Sequence, residues 1–171
     1  MDERRQFLPT SRKIADLEAA KRRAAAWRSE KKAVAYTNGC FDLLHLGHVR
    51  TLESARQHAD ALVVGINSDA SARQLKGPGR PVVPEGERAE MVAALACVDL
   101  VVVFAELSSL PVIEALRPEV WVKGGDYRID TVHQEERAFV EGYGGRVALA
   151  PHVPGLSSTD VIARIRQPGE G

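Results

Sequence analysis

Residues 37–50 read TNGCFDLLHLGHVR and set two imidazoles, His45 and His48, three positions apart around a glycine, Gly47. A metal centre is one chemistry such a pair suggests. A closed zinc site needs about four ligands, and beyond Cys40 no further Cys or His lies in the stretch to complete one. A nucleophile is a second. No Ser or Cys sits in an elbow motif, and Cys40 reads as a small buried residue. Phosphate binding is the third, and it suits the stretch best. Gly47 lies where loop turns into helix, so backbone N–H groups there are unpaired and favour an anion. Glycine lets the backbone approach a ligand closely. The imidazoles add donors, and can carry charge if a phosphate raises their pKa. The plain alternative is that both histidines cap the helix and pack.

The elements that must position this stretch alternate along the chain. Helical spacing over 11–30 sets Ile14, Leu17, Ala24 and Trp27 on one face, with Thr10 or Ser11 to cap it. Short apolar runs at 33–37, 61–67, 100–104, 120–123 and 146–150 predict buried strands. Helical patterns at 47–59, 84–96, 109–116, 132–141 and 158–166 fall after them, the second opening on Pro84. Nearly all-apolar strands that alternate with helices imply a parallel sheet covered on both faces. The expected fold is α/β: a Rossmann-like, doubly wound, parallel five-stranded sheet with helices on both faces. Ligands of such sheets sit outside the carboxyl ends of the strands. The polar, glycine-containing segments 38–48, 68–80, 123–127 and 154–159 all follow strands, so they should meet on one edge.

Bulk properties bound the answer. The 171 residues, 44% of them hydrophobic, suit one domain with a real core. The expected organisation is a loose leader over 1–10, a single domain over 11–166 and a flexible tail over 167–171. Lysine plus arginine (23) balance aspartate plus glutamate (23), which argues against a general nucleic-acid or membrane-surface binder. Two cysteines, Cys40 and Cys97, make neither a disulfide framework nor a zinc pair, so a cytoplasmic setting is expected. No apolar run reaches the length of a membrane span.

GCFDLLHLGH resembles the signature of the HxGH nucleotidyltransferase superfamily, the cytidylyltransferase-like group. VVGINSD, KGPGRPVVPEGERAEMVAAL, VDLVVVF, RPEVWVKGGDY and GLSSTDVIARI resemble, in order, the blocks of the bacterial D-glycero-β-D-manno-heptose 1-phosphate adenylyltransferases. The resemblance covers about residues 11–166. In many members of that family the domain is fused to a sugar kinase.

The resemblance implies transfer of an adenylyl group from ATP, with Mg²⁺, to a sugar 1-phosphate, giving ADP-heptose and pyrophosphate by in-line displacement. A homodimer is expected by similarity only. His45 and His48 should then donate to the triphosphate and stabilise the pentacoordinate transition state. The backbone at Cys40 and Phe41 should approach the nucleotide. Asp42 either orders the loop or is a turn residue before the helix. Lys76, in a Gly/Pro loop, is expected to supply positive charge over the phosphates. Arg88 either reaches a phosphate or is an exposed helix residue. Lys123 ends a buried strand at the ligand edge, where an unpaired ammonium is costly and a bound anion would explain it. Gly124 and Gly125 permit close approach, and Asp126 is assigned a ribose or sugar hydroxyl or Mg²⁺. Ser157, Ser158 and Thr159 open the last helix as a cap, a site for the β- and γ-phosphates, or both.

Glycerol 3-phosphate cytidylyltransferases carry an Arg-Thr pair before the last block, where this chain has His152-Val153-Pro154. The same chemistry on glycerol 3-phosphate, an alcohol phosphate or FMN is the enzymatic alternative. A nucleotide-binding module without catalysis is another. A dinucleotide-binding domain is disfavoured, because no G-x-G-x-x-G follows a strand.

Overall fold

The computed structural model describes residues 9–125, 127–151, 155 and 157–166. The expected leader and tail therefore fall largely outside the described residues, as do Asp126 and 152–154. The chain forms one sheet from β1 (Ile14–Ala15), β2 (Val34–Gly39), β3 (Ala61–Asn67), β4 (Leu100–Phe104), β5 (Val120–Lys123) and β6 (Arg146–Leu149). The helices are α1 (Leu17–Ser29), α2 (Leu46–Arg56), α3 (Asp69–Lys76), α4 (Glu85–Ala93), α5 (Leu110–Leu116), α6 (Gln134–Gly142) and α7 (Ser158–Arg166).

Among the described residues the sheet has six strands, not five, in the order β1-β4-β3-β2-β5-β6, and every neighbouring pair is parallel. The additional strand is β1, whose Ile14 and Ala15 pair with Val101 and Val102. The helix expected from residue 11 instead begins at Leu17, because Asp16 caps it by accepting the Ala19 N–H at 2.7 Å. A 3₁₀ turn over Thr10–Lys13 and β1 occupy the remainder. Ile14 matched the helical spacing of Leu17 and Trp27 while belonging to the sheet.

Burial explains why the central strands are mostly apolar, whereas β6, expected as a buried strand at 146–150, runs Arg146–Leu149 along the sheet edge with both end residues exposed. All seven residues of β3 are buried, and each large aliphatic side chain so removed from water contributes about 1.5–3 kcal/mol before entropy is counted. Two cores result. Ala20, Ala24 and Trp27 of α1 pack with Val112, Ile113 and Leu116 of α5 and Val140 of α6 on one face. Leu52 and Ala55 of α2 pack with Ala89, Val92 and Ala93 of α4 on the other.

The topology fixes where a ligand belongs. From β2 the chain steps to β3 and β4 on one side, then returns to the other side of β2 for β5 and β6. The reversal opens a crevice at the carboxyl ends of β2 and β5. The His45/His48 stretch leaves β2 there, and Lys123 ends β5 there.

Candidate active site

A cavity of about 640 Å³ fills this crevice, lined by segments that follow β2, β3, β4, β5 and β6. Most of the expected site residues meet in it: Cys40, Phe41, Asp42, His45, Gly47, His48, Lys76, Lys123, Gly124, Gly125, Ser157, Ser158 and Thr159. Arg88 does not. Asp126 lies outside the described residues.

His45 is the N-cap of α2 and His48 its third residue. Their rings stack with centroids 3.8 Å apart, and His48 also leans on Phe41, 5.2 Å away. The His45 backbone N–H donates to His48 Nδ1 at 3.4 Å. That long contact assigns Nδ1 as acceptor and leaves the ring proton on Nε2. Burial, with the neighbouring His45 and Lys76 charges, pulls the His48 pKa down to about 4, against the pull of Asp42. Burial lowers that of His45 too, against Asp160. At neutral pH both are uncharged N–H donors. The capping reading holds as well: His48 does cap α2, but with the nitrogen that faces the backbone.

Phe41 turns the chain between β2 and α2 in a left-handed conformation (φ 47°). The Cys40 thiol pKa is raised, chiefly by burial, which suits a wall residue and not a thiolate nucleophile.

Asp42 orders a loop, though one distant in sequence. Its carboxylate, 2% exposed, accepts from Arg80 Nε at 2.6 Å and from the N–H groups of Val82 and Val83 at 2.8 and 3.0 Å. Burial raises its pKa, but these bonds prevail and hold it below the ordinary carboxylate value. Asp42 thus ties the Gly77–Val83 segment to the α2 entry. The segment 68–80, expected as a loop, contains α3, capped by Ser68, whose Oγ accepts the Ser71 N–H at 3.2 Å. Lys76 is the last residue of that helix, exposed at the cavity rim, and Gly77 (φ 88°) turns the chain after it.

Arg88 stands behind the wall, fully buried. Its guanidinium donates to Val83 O at 2.9 Å, to Asp69 Oδ1 at 2.8 Å and to the Cys40 carbonyl. It is therefore a positioning residue, fixing the Cys40 turn to α3 and α4. Neither expected alternative, phosphate contact or exposed helix residue, describes it.

Lys123 is 6% exposed and donates to Asn38 Oδ1 at 3.3 Å. Its ammonium lies 4.8 Å from the Tyr127 ring centroid and 5.4 Å from that of Trp121. Burial lowers its pKa, while the Glu136 charge opposes that shift. Gly124 must be glycine for a packing reason. A Cβ there would fall 2.3 Å from Thr51 Cγ2 of α2. At α7, Ser157 Oγ bonds Asp160 at 2.6 Å and accepts the Asp160 N–H at 3.1 Å, the reciprocal cap of a helix start. Ser158 donates to Leu43 O at 3.2 Å, tying α7 to the loop before α2.

Asn38, Thr51, Asn67, Arg80, His133 and Glu136 also line the cavity and were not singled out by sequence. Asn38 and Asn67 carried a signal, as polar residues closing apolar strands. His133 and Glu136 carried none.

A parallel sheet with a paired-histidine helix start at its switch point is the α/β arrangement that suits a phosphate-bearing ligand. The cytidylyltransferase-like family model matches residues 36–164, and the chain belongs to that family. Among curated relatives, it is 52% identical over 160 residues to the bifunctional protein HldE of Mesorhizobium japonicum, covering 92% of this chain and 32% of that one. With HldE of Syntrophotalea carbinolica it shares 55% identity over 138 residues, 81% of this chain and 28% of that one. The chain thus spans about a third of the length of these relatives. Solved structures that share the fold include two of note. One is a lipopolysaccharide core biosynthesis protein from Thermoplasma volcanium (TM-score 0.62, 23% identity, 71% of this chain and 98% of that one). The other is a pantoate-β-alanine ligase from Francisella tularensis (TM-score 0.57, 13% identity, 91% and 79%). Among the described residues, no helix is long and apolar enough to cross a membrane.

Proposed function

We propose that the chain transfers an adenylyl group from ATP to D-glycero-β-D-manno-heptose 1-phosphate, giving ADP-heptose and pyrophosphate. The carrying observation is the pair of neutral imidazole donors at the α2 start, in one cavity with a buried ammonium, Lys123. The acceptor's identity is supported by the KGPGRPV and VKGGDY blocks and by half-identity to HldE proteins. Their designation as bifunctional fits the fusion to a sugar kinase that the resemblance implies.

An acceptor phosphate oxygen bonds to the α-phosphorus as the bond to the bridging oxygen breaks, and pyrophosphate leaves with that electron pair. The attacking oxygen is already anionic, so no base is required. Positioning and charge stabilisation carry the reaction. His48 Nε2–H and His45 donate to phosphate oxygens as their charge grows. Lys123 and the rim Lys76 supply positive charge, and the α7 start at Ser158 and Thr159 receives the terminal phosphates. Mg²⁺ enters with ATP as part of the substrate. In this reading the triphosphate brings the ion, as the resemblance implies. The cytoplasm, where ATP is available, and a homodimer complete the reading.

The test is pyrophosphate release with Mg²⁺, crossing ATP, CTP, GTP and UTP against β-heptose 1-phosphate, mannose 1-phosphate and glycerol 3-phosphate. Signal with ATP and the heptose alone is expected. Turnover of CTP with glycerol 3-phosphate would replace this reading with the cytidylyl one.

A further inference from the structure

The cavity has two unlike walls. The α2 and α7 starts, with His45, His48 and Ser158, make one. Leu107, Tyr127, His133 and Glu136, from the segments after β4 and β5 and from α6, make the other. Glu136 is 2% exposed. Its Oε1 is fully committed, accepting the Ser109 N–H at 2.7 Å and the hydroxyls of Ser108 and Ser109 at 2.9 and 3.1 Å. Its Oε2 is buried and, among the described residues, has no hydrogen-bond partner.

A purely structural role does not account for this. Holding the Ser108–Ser109 turn uses Oε1 alone, and the Glu136 charge that supports the Lys123 ammonium gives Oε2 no hydrogen bond. A buried carboxylate oxygen left unpaired is costly. It needs a donor and repels a phosphate. A polyol supplies donors. In-line displacement sets the acceptor opposite the departing pyrophosphate. With pyrophosphate on the histidine wall, the acceptor enters along the Glu136 wall. Lys123 lies at the seam between them, close enough for the Glu136 charge to be felt at its ammonium.

We propose that Glu136 Oε2 accepts a hydroxyl of the acceptor's sugar while Lys123 holds the acceptor's phosphate, so that the α6 wall selects a polyhydroxylated phosphate. The assignment of this wall to the acceptor rests on the nucleotidyl-transfer reading above.

Glu136→Gln keeps an oxygen for Ser108 and Ser109 and turns the second acceptor into a donor. The sugar 1-phosphate KM should rise roughly 10- to 100-fold, the range for a lost hydrogen bond to a charged group. The ATP KM should stay within about twofold. An unchanged acceptor KM, or an ATP KM that rises equally, overturns the proposal. Should the glutamine variant fail to fold, Ser109→Ala loosens Oε1 and leaves the carboxylate. It should raise the acceptor KM severalfold without moving the ATP KM, and no change overturns the proposal. Absence of wild-type turnover with every acceptor would sink the functional reading separately. The site is then judged by equilibrium binding of mannose 1-phosphate and inorganic phosphate. A wild-type preference for the sugar phosphate that Glu136→Gln abolishes upholds the site. Equal binding of the two probes overturns it.

Discussion

His48 gives one nitrogen to the backbone and the other to the cavity, and burial keeps it neutral. A neutral donor stabilises growing phosphate charge without repelling the Mg²⁺ that accompanies ATP. Removing it should resemble removal of one donor from an oxyanion site, about 10²–10³-fold in kcat. The same burial has a cost in acid. The folded pKa is about 4 against an ordinary 6.5, so between these values the unfolded chain binds more protons and stability rises with pH. Stability is full above about 6.5 and is lost as pH falls toward 4, by an amount on the order of 3 kcal/mol at about 1.4 kcal/mol per pKa unit. His45 adds to the loss in the same direction. His48→Gln should therefore lose kcat and also flatten the acid limb of urea-unfolding stability between pH 6.5 and 4. A wild-type slope retained in the variant would mean that His48 is not buried neutral.

At the scale of elements, the site depends on how segments are tied together behind it. Asp42 holds the Gly77–Val83 segment, and Arg88 holds the Cys40 turn against α3 and α4. Asp42→Asn should turn an amide N–H₂ toward donors that Asp42 now satisfies. The expected loss is about 3 kcal/mol, the lower range for breaking a buried charged pair. Amide exchange should accelerate most at Val82 and Val83, whose N–H groups bond Asp42, and the ATP KM should rise as Lys76 loses its anchored loop. Uniform acceleration across the sheet would mean global weakening instead. These ties were not legible in the sequence, because each joins residues about 20 to 50 positions apart. Nor was α3 legible: only Ser71 and Ala72 are buried on it, so it has no apolar stripe. The strands at 61–67, 100–104 and 120–123 were legible to the residue, because strands buried on both faces must be apolar runs. The convergence of the motif residues on one sheet edge was legible through the switch-point rule, but Arg88 shows that a motif position need not line the cavity.

The whole molecule separates chemistry from support along the sheet axis. The cavity lies at the carboxyl ends of the strands. At the opposite end, Arg28 of α1 donates to Glu119 Oε1 and the Arg117 carbonyl, both at 2.7 Å, and to the Leu116 carbonyl. Glu119 Oε2 in turn accepts the Val34 N–H at 2.7 Å, where β2 begins. This one cluster joins α1, the end of α5 and the two central strands that flank the switch point. Arg28→Ala would release three acceptors, two of them carbonyls at a helix end, and leave Glu119 to hold β2 without a counter-charge. Because the group is partly exposed, water replaces some of the lost bonds, and about 1–3 kcal/mol is the expected loss. The strands would still pair, and the residues around the cavity make no contact with Arg28 in this cluster. The variant should therefore unfold at lower urea with kcat and both KM values intact at 25 °C. A parallel fall in kcat would mean that the sheet transmits a change in β2 and β5 from one end to the other, and that the two ends are not independent.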